Sequence, residues 1–225
     1  MNNLTTRAFG GLIFFLITLA SLIFLSAWTI NYWQAWIFLA LMSVLTFAVT
    51  LYLMINDPKL LERRVKAGPG AEKEKAQIII QSFATIAFIA IIVLPSIDHH
   101  FMWSYVPTSI VIIGDLLIIL GFYIIFLVFK ENTFTSGTIK IHKDQKVIST
   151  GPYALVRHPM YVGGLIFLLG VPLSLGSWWG LLAFLPISGV IIWRLLDEEK
   201  FLVKNLEDYS EYLKKVKYHL IPSVW

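Results

Sequence analysis

Four long runs of apolar residues, separated by short charged stretches, dominate the sequence. A helix rises about 1.5 Å per residue, so about 20 apolar residues cross the roughly 30 Å hydrocarbon core of a bilayer. We expect a transmembrane helix in each run: Ala8 to Trp28, Gln34 to Asn56, Gln77 to Ile97 and Val106 to Phe129. Only 14% of the residues are charged, against about a quarter in soluble domains, which excludes an ordinary soluble fold.

A fifth apolar stretch, from Tyr161 to Trp193, is too long for a single span. Gly170, Pro172 and Gly176 interrupt it, and these residue types commonly mark turns. We therefore predict a tight transmembrane helical hairpin. The predicted fold class is an all-α, polytopic helical membrane protein with four spans, a C-terminal transmembrane hairpin and a cytoplasmic helical tail.

The basic residues predict the orientation in the membrane. All 18 Lys and Arg residues lie at the N-terminus, in loops 57–75 and 130–158, or in the tail after Trp193. The alternate connections, 29–33, 98–105 and 174–179, contain none. Because basic loops stay on the cytoplasmic side, both termini should be cytoplasmic. The net charge of +4 therefore indicates membrane orientation rather than nucleic-acid binding, in an inner or plasma membrane of a prokaryote or the endoplasmic reticulum of a eukaryote.

The chain is predicted to form one membrane domain, 1–225, in which 1–129 are scaffold spans and 130–225 form the binding and catalytic region. A cleaved signal peptide is a weaker interpretation of the first run, because its apolar core is too long. Segment 57–75 could be a linker, but leucines and charges at helical spacing from Pro58 to Val65 favour a short helix on the membrane surface, without chemistry of its own. The chain has no cysteine, which excludes disulfides and thiolate chemistry.

Two polar groups in the last third could carry chemistry. In the first, Pro159 suits the first turn of a helix, and His158 and Tyr161 are three residues apart and share a face. Gly163 and Gly164 follow, and small residues there would let a ligand approach closely. The alternative is that Arg157 and His158 only face lipid headgroups.

The second group, 193–202, ends the second arm of the predicted hairpin. Arg194 and Glu198 are four residues apart and could form a simple intrahelical pair. Three consecutive acids, Asp197 to Glu199, oppose the helix dipole at this end, and a bound cation would compensate them. Since the two arms are neighbours, the foot that begins at His158 should meet the foot that ends at Glu199.

At these residues the sequence resembles the isoprenylcysteine carboxyl methyltransferases and, more loosely, the membrane phospholipid N-methyltransferases. The resemblance covers about 130–225 and rests on the motifs R-H-P-x-Y-x-G (157–163), V-x-x-G-x-Y (around 147–153), E-E-x-x-L (198–202) and a tail with Tyr209, Tyr212 and Pro222. Gln145 stands where the eukaryotic enzymes carry histidine, and His219 stands where a tail arginine is common. These two departures leave the substrate class open.

The resemblance implies that S-adenosylmethionine is the cofactor. Glu198 would hold the methionine ammonium group, and Arg194 would face the methyl acceptor. For an amine or thiol acceptor, Glu199 or His158 would be the candidate base, whereas a carboxylate needs none. The cofactor contacts that the resemblance implies are Gln145, Lys146, Val147, Ile148, Tyr153, His158, Pro159, Met160, Tyr161 and Glu198.

The residues agree with this chemistry. No G-x-G-x-x-G motif follows a strand pattern, so a soluble dinucleotide-type fold is not expected. A sulfonium is attracted to aromatic faces such as those of Tyr153 and Tyr161. The expected partners are a lipophilic or lipid-linked methyl acceptor and membrane lipids.

Other polar residues are ambiguous. Asp115 lies in the middle of the fourth run, where an acid is either functional or paired with another span. Asn132, Thr133 and Thr135 could reach the cofactor or simply end a helix. Asp98, His99 and His100 are adjacent and point in different directions, which disfavours a metal site.

Two other function classes remain open from the sequence. A sterol-type membrane reductase has similar C-terminal helices and would use a nicotinamide cofactor. A non-catalytic lipid-binding or transport protein would not need Arg194 or Glu198.

Overall fold

The computed structural model describes residues 2–66, 68–72, 74–139, 141 and 145–225. The described part is helical, with no strand, and confirms the predicted all-α fold class. Its helices are α1 (Asn2–Ala27), α2 (Trp33–Asn56), α3 (Pro58–Val65), α4 (Lys75–Phe101), α5 (Thr108–Glu131), α6 (Pro159–Ser174), α7 (Leu181–Asn205) and α8 (Tyr209–Lys215). Single 3₁₀ turns occur at Pro69–Ala71 and Gly151–Ala154.

Four of these helices, α1, α2, α4 and α5, are long and apolar enough to cross a membrane. They coincide with the four predicted spans, although α1 begins at Asn2 rather than near Ala8. The chain is therefore a multi-pass membrane protein. Side chains between the helices form a large apolar core, which includes Leu19, Phe38, Ile91, Ile118 and Val171.

The predicted surface helix is α3, which begins directly after the second span. Pro58 occupies its first turn, and the carboxylate of Asp57 caps it by accepting a hydrogen bond from the Leu60 amide at 2.9 Å. Leu60 and Leu61 are buried against Leu53 and Ala8. This packing holds α3 beneath the ends of α1 and α2 and excludes the linker interpretation.

The C-terminal hairpin forms, but not as a tight pair of arms. Helix α6 continues through Gly170 and Pro172, and the chain turns only at 175–180, where Gly176 has a φ of +70°. Most contacts of α6 are with α5, and α7 packs mainly against α4. The prediction that Gly170 and Pro172 break the helix was therefore wrong, because α5 supports α6 along its whole length.

Glycines make the contact between α5 and α6 close. A Cβ added to Gly163 would lie 2.8 Å from the Gly121 carbonyl oxygen, and one added to Gly170 would lie 2.6 Å from the Gly114 carbonyl oxygen. Small residues commonly allow membrane helices to approach in this way. Gly163 therefore faces α5, and the expectation that it leaves space for a ligand was wrong.

A polar contact supports the same helix pair. The Ser174 hydroxyl donates a hydrogen bond to Asp115 at 2.5 Å. This contact identifies the partner of the acid in the fourth span and favours the structural interpretation of Asp115.

The end of the bundle that contains loops 28–32, 102–107 and 175–180 has its own polar network. Asp98 is buried and accepts hydrogen bonds from the Ser104 amide at 2.8 Å and from the hydroxyls of Ser104 and Ser177. His99 stacks on Tyr32, and His100 lies against Trp28. Asp98, His99 and His100 thus have separate partners, and among the described residues no group of three candidate ligands could hold a metal ion.

Adjacent glycines in α6 provide a matched test of this packing. We expect Gly163→Ala to destabilise the protein by about 1–3 kcal/mol, because the new methyl group would overlap the backbone of α5. Gly164→Ala should be neutral or slightly stabilising, because a Cβ there meets nothing within 4 Å. Thermal unfolding in one detergent measures both, and equal melting temperatures would contradict the close α5–α6 contact.

Candidate functional site

The candidate site lies at the other end of the bundle, which we call the polar end. The termini of seven helices meet there: the first residues of α1, α4 and α6, the last residues of α2, α5 and α7, and all of α3. The C-terminal tail, 206–225, folds back against the same end. At the polar end, the C-terminal tail thus covers the ends of the membrane helices.

The tail packs against the start of α6 through backbone and side-chain contacts. The amides of Arg157 and His158 donate hydrogen bonds to the carbonyls of Tyr218 and His219 at 2.9 and 3.1 Å. The Arg157 guanidinium donates to the Val216 carbonyl at 2.7 Å and to Glu199 at 2.8 Å. Arg157 therefore connects α6, α7 and the tail, rather than facing lipid headgroups.

Glu199 is the anionic centre of this connection. Its carboxylate lies 2.8 Å from Arg157 Nη1, 2.9 Å from His219 Nε2 and 3.9 Å from His158 Nε2. Glu199 lies beyond Trp193, outside the apolar part of α7. Burial raises the pKa of Glu199, but the neighbouring His158, Arg157 and His219 outweigh burial and lower the pKa to about 2. A carboxylate with so low a pKa is a weak base.

The two helix feet meet, as the sequence predicts. The Tyr161 hydroxyl of α6 donates a hydrogen bond to Glu198 of α7 at 2.5 Å. The side chains of the three consecutive acids diverge: Asp197 accepts a hydrogen bond from Gln77, Glu198 from Tyr161 and Glu199 from Arg157. Their mutual repulsion is thus relieved by three separate partners.

Arg194 binds residues of the first half of the chain. Its guanidinium donates to Glu72 at 3.0 Å, to Gln77 at 2.9 Å and to the Gly137 carbonyl at 3.2 Å. Glu72 and Gln77 are buried. Among the described residues, the acid paired with Arg194 is Glu72, so the intrahelical pair with Glu198 does not form.

Tyr153 joins the tail to loop 132–139. The Tyr212 hydroxyl donates to the Tyr153 carbonyl at 2.8 Å, and the Asn132 amide donates to the Tyr153 hydroxyl at 3.0 Å. Val147 and Tyr153 also pack against the buried tail residues Tyr209 and Tyr212. Asn132 thus positions Tyr153, while the neighbouring Thr133 hydroxyl donates a hydrogen bond to Asp57.

An open cavity of about 650 Å³ lies beside these residues. One wall is formed by residues between α5 and the 3₁₀ turn at Gly151–Ala154, and the other is formed by the loop after α7 and by α8. Its lining includes Gln145, Lys146, Val147 and Ser149 on the first wall and Glu207, Asp208, Glu211, Tyr212 and Lys215 on the second. Ile148 is partly buried and is not part of this lining.

The candidate cofactor residues from the sequence therefore form two neighbouring groups. Gln145 to Val147 line the cavity, whereas His158 to Tyr161 and Glu198 lie at the helix feet, and Tyr153 contacts the tail between them. His158 is buried, and its Nε2 makes no hydrogen bond to the described part of the chain. A buried ring nitrogen of this kind is available to a ligand or a water molecule.

Sequence reasoning missed the contributions of the first half of the chain. Arg64, Glu72 and Gln77 all lie at the polar end, and each contacts a residue after position 130. The sequence feature that could have indicated two of them is that Gln77 begins the third apolar run and Glu72 lies shortly before it. No pattern in the sequence connects these residues with Arg194, which lies more than 100 residues away.

Comparison with known proteins identifies the class. The family model described as phospholipid methyltransferase matches residues 109–208. A probable protein-S-isoprenylcysteine O-methyltransferase of Oryza sativa subsp. indica is 30% identical over 151 residues, which cover 63% of this chain and 74% of the relative. The Schizosaccharomyces pombe protein-S-isoprenylcysteine O-methyltransferase is 39% identical over 83 residues, 34% of each chain.

A third relative, protein-S-isoprenylcysteine O-methyltransferase B of Arabidopsis thaliana, is 27% identical over 147 residues, 59% of this chain and 67% of its own. The fold and these similarities together define a membrane methyltransferase. The chain belongs to the protein-S-isoprenylcysteine O-methyltransferase family. The comparisons support neither the reductase nor the non-catalytic alternative.

Proposed function

We propose that this methyltransferase uses S-adenosylmethionine to methylate the carboxylate of an isoprenylated cysteine or of a similar lipophilic acid. The observation that carries the proposal is the contact between Tyr161 of α6 and Glu198 of α7, at the same end of the bundle as the open cavity, in a chain of this family. The cofactor contacts expected from the sequence, among them Tyr161 and Glu198, would bind the donor. Arg194 would bind the acceptor.

The residues at the helix feet fit the donor. Glu198 has no cation within salt-bridge distance among the described residues, so its carboxylate can accept the ammonium group of the donor's methionine part. The buried His158 Nε2 offers a further polar contact. The cavity of about 650 Å³ lies within the usual range of ligand pockets, roughly 300–1,000 Å³, and Gln145 to Val147 would line the donor's remaining part.

The proposed reaction needs alignment more than proton transfer. S-adenosylmethionine supplies an electrophilic methyl group on a sulfonium. When a carboxylate oxygen bonds to this methyl carbon, the carbon–sulfur bond breaks and the products are a methyl ester and a neutral thioether. The task of the protein is to bind both partners in line and exclude water, and the rings of Tyr153 and Tyr161 can stabilise the cationic sulfur.

Among the possible acceptors we propose a carboxylate, which needs no base. Arg157 and His219 hold Glu199 as a stable anion with a pKa of about 2, so an amine or thiol acceptor would depend on the other candidate base, His158. Glu199 then acts by positioning the tail over the site rather than by taking a proton. Arg194, held in place by Glu72 and Gln77, would orient the acceptor carboxylate.

We further propose that the polar end faces the cytoplasm. Arg63, Arg157 and Arg194 all lie at this end, and the connections at the opposite end contain no Lys or Arg. This asymmetry supports the positive-inside orientation. The membrane would be the plasma membrane in a prokaryote or the endoplasmic reticulum in a eukaryote.

The absence of native cysteine makes the orientation easy to test. In intact cells, we expect Tyr105→Cys to react with a membrane-impermeant maleimide, because Tyr105 is exposed in a connection at the opposite end. Asn205→Cys, exposed at the end of α7, should react only after the membrane is opened. The reverse labelling pattern would contradict a cytoplasmic polar end.

The donor assignment is tested by calorimetry on the detergent-purified protein. We expect the wild type to bind S-adenosylmethionine and Glu198→Gln to weaken binding by about 10- to 100-fold, because an ion pair with the ammonium is lost. Glu62→Gln removes an exposed acid paired with Lys66 and should leave the affinity unchanged. Equal affinities of Glu198→Gln and the wild type would remove Glu198 from the donor site.

The same preparation tests the acceptor side. Arg194→Lys keeps a positive charge beside buried Glu72 and should keep donor affinity, while turnover falls because the planar fork of hydrogen bonds is lost. Unchanged turnover would show that Arg194 does not orient the acceptor.

A further inference from the structure

Arg64 is a cation at the polar end that has no acidic partner among the residues that the structure describes. It lies on α3 and is partly buried, and no acidic side chain in the described ranges lies within ion-pair distance of it. Burial lowers the pKa of Arg64, but a guanidinium stays protonated because its ordinary pKa exceeds 12. A permanent, partly desolvated charge without a counter-ion is costly unless a ligand supplies one.

The contacts of Arg64 hold its guanidinium in one orientation. Nη1 donates to the Ser136 carbonyl at 3.0 Å and contacts Met160 Sδ at 3.7 Å. The guanidinium carbon lies 5.2 Å from the centre of the Phe129 ring. Nε and Nη2 make no hydrogen bond to any described residue. These two nitrogens form one edge of the guanidinium, which matches the two oxygens of a carboxylate.

Arg64 contacts a residue adjacent in sequence to the proposed donor site. Met160 immediately precedes Tyr161, whose hydroxyl contacts Glu198. The negative charge of Glu198 is also close enough to act on the pKa of Arg64, which burial lowers. In the described ranges, Glu198 thus has no cation and Arg64 no acid within ion-pair distance, and both contact the first residues of α6. Arg194 differs in that it has an acidic partner, Glu72, at 3.0 Å.

We propose that the Nε–Nη2 edge of Arg64 binds the carboxylate of one of the two reactants, and this inference rests on the proposed methyl transfer. The donor carries an ammonium and a carboxylate on the same carbon, so Glu198 and Arg64 together match its amino-acid end. The acceptor carries the carboxylate that is methylated. The donor and the acceptor would each present a carboxylate to Arg64, and the following experiment distinguishes between them.

The experiment compares wild type, Arg64→Gln, Arg64→Lys and the control Lys59→Gln, which removes an exposed charge from the same helix. Calorimetry measures the Kd of S-adenosylmethionine and of its decarboxylated analogue, and initial rates give KM for N-acetyl-S-farnesylcysteine. If the donor supplies the carboxylate, Arg64→Gln raises the donor Kd by about 10- to 100-fold, the loss expected for a charged hydrogen bond. The decarboxylated analogue then binds wild type and Arg64→Gln equally.

If the acceptor supplies the carboxylate, the donor Kd stays constant and KM for the farnesylcysteine rises by a similar factor. In either case Arg64→Lys should be intermediate, because it keeps the charge without the planar fork, and Lys59→Gln should match the wild type. Donor Kd and acceptor KM within twofold of wild type in Arg64→Gln would overturn the role of Arg64, although wild-type donor binding would still support the proposed function.

A wild type that does not bind S-adenosylmethionine would instead overturn the proposed function, and the inference with it. If Arg64→Gln does not fold, comparing ligands on the wild-type protein still tests whether a carboxylate is bound. Equal affinity for the donor and its decarboxylated analogue, together with equal inhibition by the farnesylcysteine acid and its carboxamide, would contradict a bound carboxylate.

Discussion

The pairing of partly buried charges at the polar end is the interaction on which the proposed site depends. A buried ion is stable only where a partner of opposite charge and further hydrogen bonds compensate its lost hydration. Glu199 meets this need with Arg157 and His219, and Arg194 meets it with Glu72. These pairs bring the tail over α6 and bring loop 132–139 and α4 against α7. With these pairs formed, Glu198 has no cation within salt-bridge distance in the described part of the chain, and the proposed donor site is built on this unpaired charge.

The glycine contact between α5 and α6 determines where this chemistry can occur. Gly121 and Gly163 bring the helix backbones together, and Asp115 is held by Ser174 at the far end of α6. Helix α6 is therefore fixed to the scaffold along its length, and its first residues are presented to α7 in a defined position. The Asp98 network fixes the opposite end of the bundle. The polar residues at that end are structural, whereas the polar end also contains Glu198 and the buried His158 Nε2, which the proposed function assigns to donor binding.

Much of the fold could be predicted from the sequence, because span length and hydropathy are local properties. The spans, the surface helix and the meeting of Tyr161 with Glu198 followed from apolar runs, helical spacing and a recognisable motif. The packing could not be predicted. Gly163 was expected to face a ligand and instead faces α5, and Arg194 has a partner, Glu72, more than 100 residues away. Such long-range pairings depend on how the spans are arranged, which no local pattern records.

The central claim is that the feet of α6 and α7 act as one unit in binding the methyl donor. A double-mutant cycle with Tyr161→Phe and Glu198→Gln measures this directly, using the donor Kd from calorimetry. Because the Tyr161 hydroxyl holds the Glu198 carboxylate at 2.5 Å, the double variant should bind the donor about as weakly as Glu198→Gln alone. Fully additive losses would show that the two side chains act independently, and would contradict a site formed where these helix feet meet.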